Sequence, residues 1–177
     1  MKKTLAIPAL LLLAASAAAQ TTPAQTNNPV STALRDILPG RQKNTVAAVE
    51  AMPADKFSYK PTADQRTFSQ LIVHMAETNY LLCSKVAAVP APKVEELKDT
   101  GSKDALVAAL KASFDFCSDA LAKMEDSRLA ETTEVFGGKQ FTRAWVGLIL
   151  SGAWADHYGD AAMYLRLNGV LPPTAKK

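Results

Sequence analysis

The 177-residue sequence is poor in several residues from which active sites are commonly built, since it holds only two histidines, two cysteines and eight glycines. Two histidines cannot supply a metal site of three imidazoles. No glycine-rich phosphate loop is present, which excludes the common nucleotide-binding motifs and leaves no cofactor of that class. The formal net charge is only +3, and no run of lysine or arginine occurs. We therefore expect neither nucleic acid nor a membrane surface as a partner.

The first 19 residues have the pattern of a secretory signal peptide. Lys2 and Lys3 form a basic start, residues 5–15 are apolar, and residues 17–19 are a small-residue cleavage signature. The apolar run is short for a transmembrane helix, although an uncleaved membrane anchor is the alternative. We expect a bacterial protein that is periplasmic or secreted, is cleaved after Ala19 and does not insert into the membrane afterwards. Loss of the two lysines lowers its formal charge from +3 to about +1.

The rest of the chain predicts one domain. Residues 20–29 are rich in Thr, Asn, Gln and Pro, which indicates a flexible leader. The domain then spans residues 30–173, and residues 174–177 form a tail. About 158 residues remain after cleavage at residue 19, which is enough for a hydrophobic core.

Four amphipathic segments of about 20 residues, without an array of strands between them, predict an all-α domain. A four-helix bundle is the simplest way for four such helices to bury their apolar faces. The predicted helices cover about residues 30–52, 67–86, 103–124 and 143–168.

Local signals mark the ends of these helices. Thr67 followed by Gln70 is a capping-box pattern, and Ser102 and Thr142 are the predicted N-caps of the third and fourth helices. Within the first helix, Pro39 and the glycine after it predict a kink or a break.

Two segments between the helices have patterns of their own. Residues 52–61 contain two prolines, and Phe57 and Tyr59 alternate with polar residues, which predicts an extended connector on a hydrophobic surface. Gly137-Gly138, between short polar stretches, predicts a brief hairpin turn.

The two cysteines fall in separate predicted helices. Cys83 lies in the second helix and Cys117 in the third. Because an even number of cysteines in an exported protein is typical of disulfides, we predict a bridge between these helices. Two buried free thiols, acting as small apolar side chains, are the alternative.

The two histidines are the candidate functional residues. His74 and His157 lie on or beside the inward stripes of the second and fourth helices, and bundles build metal sites from imidazoles on facing helices. However, Ala153 occupies the position one turn before His157, where a second ligand on that helix would lie. The sequence therefore predicts a metal site that lacks at least one ligand.

Carboxylates could replace the missing ligand. Glu77 lies one turn after His74, and Asp160 lies one turn after His157. A site made of both histidines and one of these carboxylates would hold a divalent metal, zinc or nickel, in a weak and exchangeable way. The alternative is a histidine–carboxylate hydrogen bond between helices without a metal.

Three stretches of the sequence carry a family resemblance. They are Met52-Pro-Ala-Asp-Lys-Phe-Ser-Tyr-Lys-Pro61, Arg66-Thr-Phe-Ser-Gln-Leu-Ile-Val-His74 and Asp156-His-Tyr-Gly-Asp-Ala-Ala-Met-Tyr-Leu-Arg-Leu-Asn-Gly-Val-Leu-Pro-Pro173. Together they resemble the DinB-like superfamily of four-helix bundle proteins over about residues 30–173.

The resemblance implies an up-up-down-down bundle, a homodimer in many members, and a divalent metal held by three histidines. By position, His74 matches the ligand on the second helix and His157 the later ligand on the fourth, whereas Ala153 stands where the other histidine is expected. Some relatives implied by the resemblance are thiol-dependent S-transferases or hydrolases.

Three hypotheses on function follow. The leading one is an exported, non-catalytic module that binds a small molecule or a divalent metal with an incomplete histidine triad. The second is a metal-dependent transferase or hydrolase that uses His74, His157 and a carboxylate, with a bound water as nucleophile. The third is a structural or partner-binding homodimer. The sequence assigns no catalytic residue.

Overall fold

The computed structural model describes residues 27–93 and 97–175. The predicted signal peptide, residues 1–19, and the first part of the predicted leader, residues 20–26, lie outside the described residues. Of the predicted tail, residues 174 and 175 are described and end a short 3-10 turn.

The described chain is an all-α domain with one small hairpin, as predicted. The four helices are α1 (Pro29–Ala51), α2 (Phe68–Ala87), α3 (Lys103–Ala122) and α4 (Arg143–Leu167). The hairpin consists of β1 (Thr132–Val135) and β2 (Lys139–Thr142), and short 3-10 turns cover Ala54–Lys56, Asp126–Arg128 and Pro173–Ala175. Among the described helices, none is both long and apolar enough to cross a membrane.

Helices α1 and α2 each pack against both α3 and α4, so the four helices surround one core. Contacts between α1 and α3 run in opposite chain directions, as the Arg35–Leu121 and Glu50–Lys111 hydrogen bonds show. Contacts between α2 and α4 are also antiparallel, because Asn79 bonds to Trp154 while the ring of Phe68 lies beside that of Tyr164.

Helices α2 and α3, in contrast, are parallel, because Asn79 bonds to Ser113 and Cys83 is bridged to Cys117 one turn further along both helices. The helix directions are therefore up-down-down-up, and the up-up-down-down order implied by the family resemblance is wrong for this chain. The connector of residues 88–102 makes the parallel pair feasible. Its extended length of roughly 50 Å exceeds the roughly 30 Å length of a 20-residue helix.

The predicted helix starts are confirmed at the level of single hydrogen bonds. The Thr67 hydroxyl accepts from the Gln70 N–H while the Gln70 side chain accepts from the Thr67 N–H, which is a complete capping box. Ser102 and Thr142 cap α3 and α4 in the same way, each by accepting a backbone N–H three residues later.

Helix α1 continues through Pro39, so of the kink or break predicted there, the break does not occur. Proline removes only one helical hydrogen bond, and packing on both sides of it holds the helix together. Leu34 and Leu38 before it, and Val46 and Val49 after it, are all buried in the common core.

The connector between α1 and α2 is not simply extended, because residues 54–56 form a 3-10 turn. Its aromatic residues do cover the core as predicted. Phe57 is buried and meets Phe68 edge to face at 5.3 Å, and Tyr59 is half-buried against Tyr164 at 6.2 Å.

The predicted hairpin turn is confirmed. Strands β1 and β2 pair antiparallel from Thr132–Thr142 to Val135–Lys139. Gly137 and Gly138 have φ angles of 75° and 88°, which glycine adopts without steric cost.

The two cysteines lie at disulfide-bonding distance, as predicted, with Cα atoms 5.2 Å apart. Both are fully buried, so the bridge staples α2 to α3 within the core.

Candidate functional site

The antiparallel packing of α2 and α4 brings the two histidines together. The ring centroids of His74 and His157 are 5.1 Å apart, with the planes inclined by 70°. His157 is buried, with 9% of its surface exposed, and His74 is half-buried above it. The sequence prediction that these two side chains share one site is in agreement with this geometry.

Both imidazoles are neutral at physiological pH. Burial, and secondarily the nearby His74, lowers the pKa of His157 to about 4. Burial and the positive charge of Arg66 also lower the pKa of His74. A neutral imidazole offers one N–H donor and one nitrogen acceptor, so the pair presents donors and acceptors without charge.

Neither imidazole forms a hydrogen bond to any residue in the described ranges 27–93 and 97–175. The predicted alternative, a histidine–carboxylate hydrogen bond between helices, is therefore wrong. Glu77 and Asp160 are exposed, and their charges raise the pKa of His74 against the larger effects of burial and Arg66. Burial and the neighbouring Asp156 raise the pKa of the Asp160 carboxyl.

The side chains at this site do not fit a resident metal held by three protein ligands. In the part of the chain that the structure describes, no group of three or more His, Cys, Asp and Glu side chains could hold a metal ion. Ala153 is half-buried one turn before His157, and its methyl group cannot coordinate. The two histidines alone fall short of the three or four ligands that zinc takes.

Two cavities open beside the histidine pair. The first, of about 480 Å³, is lined by Arg66, Gln70, Val73, His74, Glu77 and the loop of residues 97–100. The second, of about 470 Å³, is lined by Asp64, Gln65, Arg66, Leu71, Asp160, Met163 and Tyr164. Arg66 lines both cavities and so lies between them at this end of α2 and α4, and we call the two cavities together the histidine cleft.

Arg66 is a candidate residue of this site that sequence reasoning did not single out. Its carbonyl accepts a 2.7 Å hydrogen bond from the Tyr164 hydroxyl, and the capping box at Thr67 follows it directly, so the backbone position is fixed. Within the described residues its guanidinium has no ion pair. The only sequence signal was its place next to a helix start.

The far wall of the first cavity comes from a loop that is distant in sequence. Asp99 accepts a 2.9 Å hydrogen bond from the Gln70 side chain, which ties this loop to the start of α2. Of the aromatic residues, Tyr164 lines the second cavity, whereas Trp154 is a core residue whose indole N–H donates to Asn79.

Comparisons with known proteins agree with this architecture. A family model described as the DinB superfamily matches residues 38–161. A comparison with curated proteins gives no significant match. Three solved structures share the fold at low sequence identity.

A DinB-like protein of Bacillus subtilis is 16% identical, with a TM-score of 0.62, over 77% of this chain and 92% of that one. A DinB-like protein of Bacillus cereus is 14% identical, with a TM-score of 0.65, over 80% and 95%. A mutant of a mycothiol-dependent maleylpyruvate isomerase is 14% identical, with a TM-score of 0.60, over 74% and 60%. At these identities the likeness concerns the fold.

Proposed function

The chain belongs to the DinB superfamily, and from this premise we propose that it is a binding module that takes a small polar molecule into the histidine cleft without a resident metal. The observation that carries the proposal is the pair of neutral imidazoles: His74 lines the cleft and His157 lies against His74, and neither has a hydrogen-bond partner among the described residues. Their nitrogen atoms still reach solvent, since the buried side-chain polar atom without a partner among the described residues is the Thr45 hydroxyl, so water pairs with them in the free protein. A ligand would supply the partners in place of that water.

The chemistry of the cleft suits a small polar ligand. His157, beside His74, is largely out of water, where a hydrogen bond is stronger than at the surface. Arg66 at the rim adds a cation that has no ion pair within residues 27–93 and 97–175, while Glu77 and Asp160 add acceptors. A ligand with both donors and acceptors could therefore bond several of these groups at once.

A catalytic role is the alternative, since one fold neighbour is a mutant of a mycothiol-dependent isomerase. A metal-dependent transferase or hydrolase would need a third donor at the histidine pair, and the described residues do not provide one. The incomplete triad at Ala153 therefore favours binding over metal-dependent chemistry.

We further propose that the protein works outside the cytoplasm. The buried bridge between Cys83 and Cys117 supports this, because such bonds persist mainly in oxidising compartments. The signal-peptide pattern of residues 1–19 points the same way.

The test is a thermal-shift screen of small polar compounds, with zinc and nickel included as probes, followed by calorimetry. A ligand present at about 100 times its dissociation constant should raise the melting temperature by roughly 5 to 10 °C. His74→Ala should abolish that shift, whereas the matched control Lys111→Ala, on the far side between α1 and α3, should keep it.

The same screen separates the two functions. Ala153→His completes a set of three imidazoles, so this variant should bind about one zinc or nickel per chain, while the unaltered protein binds neither in a saturable way. Saturable zinc binding by the unaltered protein, lost in His157→Ala, would refute the metal-free proposal and favour the enzyme.

A further inference from the structure

The histidine cleft is lined by charged side chains of both signs. Two are cationic, Arg66 and Lys98, and four are acidic, Asp64, Glu77, Asp99 and Asp160. Within residues 27–93 and 97–175, none of these six side chains takes part in an ion pair. The cleft therefore holds positive and negative charges that its own side chains leave unneutralised, and a ligand can neutralise them.

Arg66 and Asp160 line the same cavity, and both are exposed there. Burial and Asp156 raise the pKa of the Asp160 carboxyl, and the Arg66 cation lowers it in part, so the two charges lie near enough to interact. No ion pair joins them, however, in the part of the chain that the structure describes. The space between guanidinium and carboxylate is therefore open to the polar groups of a ligand.

The acidic side of the second cavity favours a cationic group on the ligand. Asp156 lies one turn before Asp160 on α4, and like charges at this spacing repel each other. Asp64 also lines the cavity, and Arg66 is the only cation among the described residues that do so. An ammonium group at Asp160 would relieve the repulsion, whereas a ligand with negative charge alone would add to it.

Arg66 favours the opposite charge. A guanidinium binds a carboxylate through two parallel hydrogen bonds, and a ligand with positive charge alone would be repelled by it. His74 lines the first cavity together with Arg66, and its neutral imidazole carries an N–H that a carboxylate oxygen can accept. A carboxylate held at Arg66 would therefore have His74 on one side and Asp160 on the other.

A ligand that carries both charges satisfies both sets of residues. We propose that the histidine cleft binds a small zwitterion of the α-amino-acid class, with its carboxylate at Arg66 and its ammonium group at Asp160. This inference rests on the proposed binding function and adds the charge of the ligand. Cavities of about 480 and 470 Å³ have the size of small-molecule sites. Leu71 and Met163 in the second cavity offer apolar surface to the side chain of the amino acid.

The test compares four charge forms of one molecule. The common L-amino acids are first titrated into the isotope-labelled protein and followed by nuclear magnetic resonance of the backbone amides. The tightest binder is then compared with its amide, which is a cation, its N-acetyl derivative, which is an anion, and its N-acetyl amide, which is neutral. We expect a dissociation constant of roughly 1 mM for the free amino acid, and values about fivefold higher or more for the three blocked forms.

Two variants assign the charges of the ligand to residues. Arg66→Gln should weaken binding of the free amino acid and of its N-acetyl derivative by about fivefold, but should not weaken binding of the amide. Asp160→Asn should weaken binding of the free amino acid and the amide, but not of the N-acetyl derivative. The matched controls are Arg41→Gln and Asp36→Asn on α1, a helix that lines neither cavity, and both should bind as the unaltered protein does.

A blocked form that binds as tightly as the free amino acid would overturn the inference. Equal weakening of all four forms in Arg66→Gln would overturn it as well, because a purely structural role of Arg66 predicts that result, and so would the absence of saturable binding by any amino acid. The proposed function fails separately. A neutral polar ligand whose binding requires His74 would leave that function intact and refute the zwitterion, whereas the absence of any His74-dependent ligand would refute both.

Discussion

Replacing His157 by glutamine should remove much of the acid sensitivity of the fold. Burial, followed by the nearby His74, lowers the pKa of His157 to about 4, compared with its ordinary value of 6.5. Between these two values the unfolded chain binds a proton at this histidine that the folded protein does not. The contribution of neutral His157 to the free energy of unfolding is therefore complete above pH 6.5 and is lost as the pH falls toward 4.

The size of the effect follows from the pKa of about 4 in the folded protein. The difference from 6.5 corresponds to roughly 3 kcal/mol over the whole range, and to about 2.5 kcal/mol between pH 7 and pH 4.5. Besides burial, His74 once protonated and the cation of Arg66 lower the pKa of His157, and Asp156 raises it. They remain in the variant, so their own titration largely cancels in the comparison. A loss of this size is a large part of a typical stability of 5–15 kcal/mol.

The assay is urea unfolding at both pH values, followed by far-ultraviolet circular dichroism, for the unaltered protein and His157→Gln. On acidification from pH 7 to pH 4.5, the free energy of unfolding should fall by about 2–3 kcal/mol more in the unaltered protein than in the variant. His74→Gln is the control, with a smaller expected effect because His74 is half-exposed. Equal losses in the unaltered protein and His157→Gln would refute the reasoning, as would a nuclear magnetic resonance titration of His157 near pH 6.5.

Two further predictions concern stability. Replacing Cys83 and Cys117 by alanine should cost about 3.7 kcal/mol in urea unfolding, because the bridge spans 34 residues of chain; a variant as stable as the oxidised protein would contradict this. Asp126→Ala should cost about 1–2 kcal/mol in the same assay, because the carboxylate accepts hydrogen bonds from Val30 and Ser31 at the start of α1. Partial burial opposes the shift, but these bonds lower the pKa of Asp126 below its ordinary value of 3.8, so its contribution to stability is complete above that value and declines as the pH falls through the lowered pKa. A difference from the variant that does not decline on acidification would contradict this.

Features with local causes could be predicted from the sequence. A cap depends on one polar side chain three residues before the N–H it accepts, so Thr67, Ser102 and Thr142 were identified correctly. The hairpin turn likewise depends on adjacent glycines. The start of α1 shows the opposite case, because its partner is Asp126, which lies more than 90 residues away and reaches the helix only after folding.

The arrangement around the histidines was predictable only in part. Helical periodicity placed His74 and His157 toward the interior, which was enough to pair them. The cleft itself depends on Arg66 and on the loop of residues 97–100, whose positions follow from the direction of each helix. The helix order implied by the family resemblance was wrong, and periodicity could not correct it, since periodicity shows which face of a helix is buried but does not show which way the helix runs.

The cleft lacks a third imidazole, yet the low pKa of His157 keeps that histidine neutral, as a bound cation would. In a site with three imidazoles, a bound cation would keep the histidines unprotonated. Two imidazoles without a cation would take up protons near pH 6.5 if they were exposed. In this protein, the packing of α2 against α4 lowers the pKa of His157 to about 4 by burial. The pair therefore stays neutral, and able both to donate and to accept hydrogen bonds, without any help from a metal.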